Sequence, residues 1–254
     1  MGSFAFSFPP QRFVDIAHTT RIKRYPDGSC TILCADRPIF REAGWEPVAL
    51  SQRRSGVHEE NNVARSMRRA RANLCDIARS TKFHFFVTLT LNAVIIDRYD
   101  MASITKKLNT WLDNNVRRRG LAYILVPERH KDGAIHFHGF FNDALDVVPS
   151  GHHDCNGHEI YNLPRWNFGF TTAIRLYGDY SKAVGYVCKY IGKQTDKIGG
   201  RWYYSGGNLQ HPEILLCDFD YNILFDMEGA YKFSVAEVGA NFIQWEVDGN
   251  GQSE

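Results

Sequence analysis

Two histidines separated by one aromatic residue are the most chemically informative pair in this sequence. His136 and His138 flank Phe137 in the segment 134–139, whose composition predicts a β-strand. Side chains two residues apart on a strand point to the same face of the sheet. Two imidazoles on one face supply half of a site for a divalent metal ion.

The segment before these histidines supplies a candidate third ligand. Residues 121–128 and 134–141 predict the two strands of a β-hairpin, joined by a turn at residues 131–133. With a three-residue loop, Glu128 lies directly opposite His136 and shares its face. One carboxylate and two imidazoles favour Mg²⁺ or Mn²⁺ over a closed structural zinc site. A register shift of one residue would turn Glu128 to the other face.

Other potential metal ligands are scattered nearby. A zinc site in the polar segment 143–163 and a polar loop without metal are both open, and the irregular ligand spacing favours the loop. The further candidate ligands are His130 of the hairpin and, in the polar segment, His152, His153, Cys155 and His158.

A predicted helix over residues 179–191 carries two tyrosines four residues apart. Tyr186 and Tyr190 are neighbours on one flank, between an apolar stripe and a basic side that includes Lys189 and Lys193. A phenol with a pKa of about 10 is a poor nucleophile at neutral pH and needs a nearby cation or metal to activate it. The alternative is a structural helix with interfacial tyrosines and lysines that extend to solvent.

The remaining elements predict an α+β domain. Apolar periodicity predicts helices over residues 61–79 and 100–119, and β-branched and aromatic residues predict strands over 83–92 and 168–176. The order of strand, helix, hairpin, strand and helix indicates an antiparallel sheet with helices packed on it. The first helix carries an unusual set of arginines, which either contact phosphate or form a solvated face: Arg65, Arg68, Arg69, Arg71 and Arg79.

Charge and composition narrow the function classes. Residues 211–254 hold nine acids and one base, a net charge of −8, which leaves +10 for residues 1–210 of the total of +2. That larger part is basic enough to approach nucleic acid. No export signal or membrane-spanning run is evident, and the six scattered cysteines favour reduced thiols, so we expect a cytoplasmic protein.

Three segments together resemble the HUH endonucleases, specifically the rolling-circle replication initiators (Rep proteins) of small phages and plasmids. Residues 86–92 are similar to the first motif of that family, residues 136–138 with Glu128 to its metal motif, and residues 186–193 to its tyrosine motif. The three segments follow the family's order, and the resemblance covers roughly residues 61–205.

The resemblance implies both a fold and a reaction. The fold would be an antiparallel sheet of about five strands with flanking helices, related to the RNA-recognition fold. His136, His138 and Glu128 would bind Mg²⁺ or Mn²⁺. A tyrosine would attack a phosphate of single-stranded DNA at a replication origin, leaving a 5′-phosphotyrosine and a 3′-OH that primes synthesis. Joining to a new 3′-OH would reverse the chemistry.

The family pattern favours one of the two tyrosines as the nucleophile. Some phage initiators use two tyrosines four residues apart, whereas some plasmid initiators keep the second tyrosine and have a glutamate at the first position. Tyr190 matches both groups and Tyr186 only the first. We therefore favour Tyr190, with Tyr186 as a candidate second nucleophile and Lys189 and Lys193 as the accompanying cations.

The resemblance also implies a domain organisation and partners. It predicts an N-terminal extension (1–60), an endonuclease domain (61–205) and an acidic C-terminal segment (206–254). No P-loop ATPase motif, Gly-x-x-x-x-Gly-Lys-[Ser/Thr], occurs in the sequence. We therefore expect a separate helicase and polymerase as partners, in addition to single-stranded DNA, and no membrane.

Two other functions fit the same residues. A small HUH transposase would join two DNA ends instead of priming synthesis, whereas a relaxase is disfavoured because its tyrosine usually precedes the histidines. A binding module without catalysis would stack single-stranded nucleic acid on exposed aromatic side chains and would need no metal. The candidate aromatic residues for such stacking are Phe85, Phe137, Phe140 and Phe141.

Overall fold

The structure, a computed structural model, describes residues 17–40, 59–177, 180–193, 196–235 and 239–247 of the 254-residue chain. The chain divides into two units. Unit 1 combines Met1–Arg54 with His211–Glu254, and unit 2 is the continuous segment Ser55–Gln210. Every predicted ligand and tyrosine therefore belongs to unit 2.

Both units contain helix and strand. The helices of the described part are α1 (Glu59–Ser80), α2 (Met101–Arg119), α3 (Tyr180–Gly192) and α4 (Tyr221–Phe225). Its strands are β1 (Ala17–Arg24), β2 (Cys30–Phe40), β3 (Phe85–Leu91), β4 (Tyr123–Arg129), β5 (Ile135–Phe141), β6 (Val148–His153), β7 (Glu159–Asn162), β8 (Gly169–Arg175), β9 (Tyr204–Gly206), β10 (Glu213–Cys217), β11 (Tyr231–Val235) and β12 (Ala240–Val247).

Each unit is built on one antiparallel sheet. The sheet of unit 1 has the strand order β10-β1-β2-β12-β11, and the sheet of unit 2 has the order β6-β7-β8-β3-β5-β4-β9. The predicted α+β class is confirmed. The sheet of unit 2 has seven strands rather than about five, because β6 and β7 extend one edge and β9 extends the other.

The two faces of the unit 2 sheet are covered by different helices. Alternate residues of β3, including Val87 and Leu89, are fully buried in a core shared with Ile104 and Leu108 of α2. On the other face, α1 and α3 share a second core with β4 and β5. The residues of β3 that alternate with its buried residues lie on this second face, and they include its threonines.

Local sequence explains where the helices begin and end. Asp100 caps α2 by accepting hydrogen bonds from Ala102 N–H and Ser103 N–H, and Gly120 ends it in the left-handed region at φ 74°. α1 covers the predicted span 61–79 and begins two residues earlier, at Glu59. α3 begins at Tyr180, and the predicted first residue, 179, lies outside the described residues.

The segment predicted to be irregular contains a hairpin instead. Residues 143–163 include β6 and β7, which pair in antiparallel register with an irregularity between Pro149 and His152. The side chains of β6 are mostly exposed, so the strand lacks the apolar alternation that predicts one.

The described parts of the two flanks pair with each other. β1 and β2 come from the segment 1–60, whereas β10, β11 and β12 come from the acidic segment. β2 lies between β1 and β12, with Ile32 opposite both Ile22 and Trp245. These three side chains are buried in one core with Cys34 and Leu224, so the flanks contribute to a common hydrophobic centre.

No helix in the described ranges combines the length and the apolar character that a membrane span requires.

A single glycine tests the packing of the unit 2 sheet. Gly139 lies on β5 between Val87 and Leu125 of the neighbouring strands, and an added Cβ would collide with the carbonyl oxygen of Ile124. Because that obstacle is backbone, Gly139→Ala should lower the free energy of unfolding by about 3 kcal/mol. Urea denaturation of the purified protein measures this change.

Gly185→Ala is the matched control. Gly185 is an exposed position of α3, and an added Cβ would enter open space. Alanine there should therefore stabilise the protein by about 0.5–1 kcal/mol. Equal effects of the two substitutions would contradict the close approach at Gly139.

Candidate active site

The β4–β5 hairpin places the three predicted ligands on one face of the sheet. Glu128 lies directly opposite His136, and His130 N–H donates to the carbonyl of Ala134 at 2.8 Å. Gly133 closes the turn at φ 84°, which glycine adopts without steric cost. The predicted three-residue loop and its register are therefore confirmed.

Two threonines of β3 contact the histidines from the neighbouring strand. Thr88 lies opposite His138 with 3.1 Å between Oγ1 and Nδ1, and Thr90 lies opposite His136 with 3.3 Å between the same atoms. Because both hydroxyls engage Nδ1, a metal ion would have to bind Nε2 of each ring. Partners of this kind fix the orientation of metal-binding histidines.

The threonine hydroxyls support either tautomer of the rings. In the structure, Nε2 of His138 lies 3.0 Å from Oε2 of Glu128, where an N–H donates to the carboxylate. Nδ1 of this ring then accepts from the hydroxyl of Thr88. If Nε2 gives its lone pair to a metal, Nδ1 carries the proton and donates to the same hydroxyl, since a hydroxyl both donates and accepts.

Burial keeps both imidazoles neutral. It is the main cause that lowers the pKa of His136 and of His138 below the ordinary value of 6.5. His130 lowers the pKa of His136 further, and the carboxylate of Glu128 opposes both shifts. The neutral imidazole is the form that binds metal, so the donor chemistry of these side chains fits a divalent ion.

Glu128 is engaged on both of its oxygens. Oε2 accepts from His138, and Oε1 lies 3.1 Å from Nζ of Lys193, which follows α3. Among the described residues, no group of three or more His, Cys, Asp or Glu side chains is gathered to hold a metal ion. The carboxylate is instead neutralised by a protein cation, and a bound metal would have to replace that ammonium.

α3 brings its two tyrosines to the histidine face. The ring of Tyr190 stacks on the ring of His138, with 4.3 Å between centroids and 10° between planes. Its hydroxyl donates to the hydroxyl of Tyr186 at 2.7 Å. Tyr190 is only 6% exposed, whereas Tyr186 is 50% exposed and packs its ring edge-to-face against Phe86.

The environment of Tyr190 opposes ionisation. Burial is the main cause that raises its pKa, and the hydrogen bond to Tyr186 and the charge of Glu128 add to it. The hydroxyl is therefore protonated at neutral pH. Any reaction in which this oxygen becomes a nucleophile must remove the proton as the bond forms.

The two predicted lysines differ in their relation to the site. Nζ of Lys193 pairs with Glu128 and lies 4.8 Å from the centroid of the Tyr190 ring, so it connects α3 to the sheet. Lys189 is exposed on α3. In the described ranges, no hydrogen bond or ion pair joins Lys189 to Glu128, His136 or His138.

Among the described residues, the other potential ligands do not gather into a zinc site. His130 stacks on His136 with 4.4 Å between ring centroids. His158 pairs with Asp154 in the β6–β7 turn and stacks on Tyr177. Cys155 is exposed in the same turn, so the described side chains support the polar loop rather than a zinc site there.

The aromatic residues expected to stack nucleic acid are buried. Phe85, Phe137, Phe140 and Phe141 lie in the two cores of unit 2, so their prediction as an exposed platform is wrong. They belong to central strands with helices on both faces, and a sequence does not show which face is covered.

Sequence reasoning missed a different aromatic residue and both threonines. Phe170 of β8 lies opposite Thr90, shares the face of the histidines and is 68% exposed. The alternation of Thr88 and Thr90 matches that of His136 and His138, which is the one sequence signal that relates these pairs. The pairing itself joins strands far apart in the chain, so the sequence alone does not reveal it.

One comparison with known proteins found a match. Residues 84–195 are similar to the family model described as Replication-associated protein ORF2/G2P. The matched segment runs from the start of β3 past the end of α3 and includes every predicted ligand and tyrosine. The similarity supports a role for this chain as a replication initiator. No curated protein and no solved structure matched the chain.

The protonation of the histidines is open to direct measurement. In protein treated with EDTA, the ring resonances of His136 and His138 should titrate with midpoints below 6.5, because burial disfavours the imidazolium ion. NMR titration of the protein, with each resonance assigned by a histidine-to-glutamine variant, gives both values. Glu128→Gln should lower the midpoint of His138 further because it removes a neighbouring negative charge. Midpoints at or above 6.5 would contradict this account.

Proposed function

We propose that unit 2 is a metal-dependent endonuclease that nicks and rejoins single-stranded DNA at a replication origin through a 5′-phosphotyrosine. The observation that carries the proposal is the stacking of Tyr190 on His138, on the same face as Glu128 and His136. A phenol stacked on one of two neutral imidazoles that share a face with a carboxylate favours phosphoryl transfer over a purely structural role for α3. The similarity to replication-associated proteins supports the same conclusion.

Glu128, His136 and His138 are the residues that would hold the metal, Mg²⁺ or Mn²⁺. Thr88 and Thr90 would keep Nδ1 of the rings occupied, so that Nε2 presents its lone pair. Bound there, the ion would polarise the scissile phosphate and favour in-line attack. Because their lowered pKa values leave both histidines neutral at neutral pH, a metal ion binding there would release few protons.

Tyr190 is our preferred nucleophile. Its phenolic oxygen would form a bond to phosphorus while the bond from phosphorus to the 3′ oxygen breaks, and the 3′ oxygen leaves as a hydroxyl after gaining a proton. The proton of Tyr190 already points to the hydroxyl of Tyr186, which offers its first acceptor. Tyr186 is more exposed, and its hydroxyl lies within hydrogen-bond distance of the hydroxyl of Tyr190. These two properties support our proposal that it is the second nucleophile in joining.

Lys193 would serve as the cation of the reaction. In the structure its ammonium neutralises Glu128 and lies over the ring of Tyr190. If Glu128 held a metal ion, the ammonium of Lys193 would no longer be needed to neutralise the carboxylate and would remain close to the phenol. It can then offset charge that develops on phosphate or phenolate.

The substrate is proposed to lie on the uncovered part of the sheet. Phe170 and Thr172 on β8 are exposed on the same face as the histidines. An exposed aromatic ring on a sheet provides a stacking surface for an unpaired base. The exposed arginines of α1, among them Arg65, Arg68 and Arg69, would supply contacts to phosphates further along the strand. A separate helicase and polymerase would complete replication.

A binding module without catalysis is the second candidate function. Two observations favour it: the ring of Phe170 is exposed on the face of the histidines, and the carboxylate of Glu128 is already neutralised by Lys193. Such a module would bind single strands without metal and form no covalent product.

Covalent trapping tests the nuclease. The protein is incubated with a pool of single-stranded oligonucleotides and Mn²⁺, and adducts are separated on a denaturing gel. Tyr190→Phe should reduce the adduct on the order of 10³-fold, because the phenolic oxygen is the attacking atom. Tyr186→Phe should leave the first cleavage largely intact and reduce joining.

Tyr231→Phe is the control for this experiment, since Tyr231 is an exposed tyrosine of unit 1. Loss of the adduct in Tyr186→Phe alone would reverse the assignment of the two tyrosines. Tight binding with no adduct for the unmodified protein would establish the binding module instead.

The threonines provide a second test, directed at the metal. Thr88→Val keeps the shape of the side chain but removes the hydroxyl that orients His138, so the Mn²⁺ concentration for half-maximal adduct formation should rise by about 10–100-fold. Thr88→Ser retains the hydroxyl and should behave like the parent protein. A normal Mn²⁺ requirement in Thr88→Val would show that the hydroxyl does not orient a metal ligand.

A further inference from the structure

Two cysteine side chains of unit 2 meet between α1 and α3. Sγ of Cys75 on α1 lies 2.6 Å from Sγ of Cys188 on α3, and both residues are present as thiols. A shortening of roughly 0.5 Å would bring the sulfur atoms to the ~2.05 Å length of an S–S bond. The two positions are 113 residues apart, so only the packing of the helices brings them together.

The surroundings make the pair asymmetric. Cys188 is buried in the core beneath α3, whereas Cys75 is half-buried and retains access to solvent. The hydrogen bond from Cys188 is the main cause that lowers the pKa of Cys75, and the charges of Arg71 and Arg79 assist, while burial and Asp76 oppose it. Low pKa and solvent access are the properties of a thiol that reacts first with an oxidant.

We infer that Cys75 and Cys188 form a redox modification site, which a peroxide converts reversibly to a disulfide bond between α1 and α3. The sulfur of Cys75 attacks one peroxide oxygen, the O–O bond breaks, and a sulfenic acid and one water form. The sulfur of Cys188 then attacks the sulfenic sulfur, the S–O bond breaks, and a second water leaves. Two electrons and two protons pass from the thiols to the peroxide.

The location of the pair gives the modification a consequence. Cys188 lies between Tyr186 and Tyr190 on α3, and Cys75 lies on the arginine-bearing helix α1. A disulfide bond would fasten the tyrosine helix to α1 and oppose any shift of α3 toward the substrate. This consequence rests on the proposed nuclease function, whereas formation of the bond does not.

Peptide mapping of the full chain tests the bond itself. Reduced protein is treated with hydrogen peroxide, its remaining thiols are alkylated, and it is digested with trypsin without reduction. The expected product links residues 72–79 to residues 183–189, the tryptic peptides that contain Cys75 and Cys188. Dithiothreitol should separate them. Oxidation should also raise the Tm on the order of 5 °C.

Variants keep the test decisive. Cys75→Ser and Cys188→Ala should lose the linked peptide and the rise in Tm, whereas Cys155→Ser, at an exposed lone cysteine, should keep both. A peroxide-treated parent protein whose Cys75 is over-oxidised, or linked to several cysteines without preference, would overturn the inference.

A DNA assay separates the two proposals. If the linked peptide forms and adduct formation falls on oxidation in the parent but not in Cys75→Ser, both proposals hold. If the linked peptide forms but no adduct is seen in reduced protein, the modification site stands and the nuclease fails.

Discussion

The pairing register of β5 is the constraint on which the rest of the site depends. This strand lies between β3 and β4. Its register with β3 sets His138 against Thr88, and its register with β4 sets His136 against Glu128. Because side chains alternate with a period of two, a slip of one residue on either side would remove one partner from the face. The three-residue turn fixes how β4 pairs with β5. Gly139 also holds the register, because a larger residue at its position would collide with the backbone of Ile124.

The rotation of α3 is the second determinant, and the hydrophobic core sets it. Val187 and Ile191 are completely buried, and burial of such side chains is worth about 1.5–3 kcal/mol each. With that stripe against the sheet, Tyr190 falls on the margin of the core and Tyr186 one turn earlier falls outside it. The same packing brings Cys188 against α1. The buried stripe of α3 thus positions the phenol of Tyr190, the thiol of Cys188 and the ammonium of Lys193, which follows the helix.

Sequence reasoning succeeded where the determinants are local. The hairpin register follows from a short turn with glycine, and the spans of α1 and α2 follow from their apolar periodicity. It failed where contacts join distant segments: the threonines of β3, the exposed ring of Phe170 and the thiol pair depend on strand order and helix packing. The β6–β7 hairpin was missed for another reason, since an exposed edge strand needs no apolar alternation.

The strand order of unit 1 sets the order in which the polypeptide completes its structure during translation. β1 and β2 pair with each other, but their other neighbours, β10 and β12, are encoded beyond the whole of unit 2. Unit 2 is continuous and holds all of its own strands, so it is able to fold first as the chain leaves the ribosome. β1 and β2 can thus pair with each other early, but each gains its second neighbour only after unit 2 has been made.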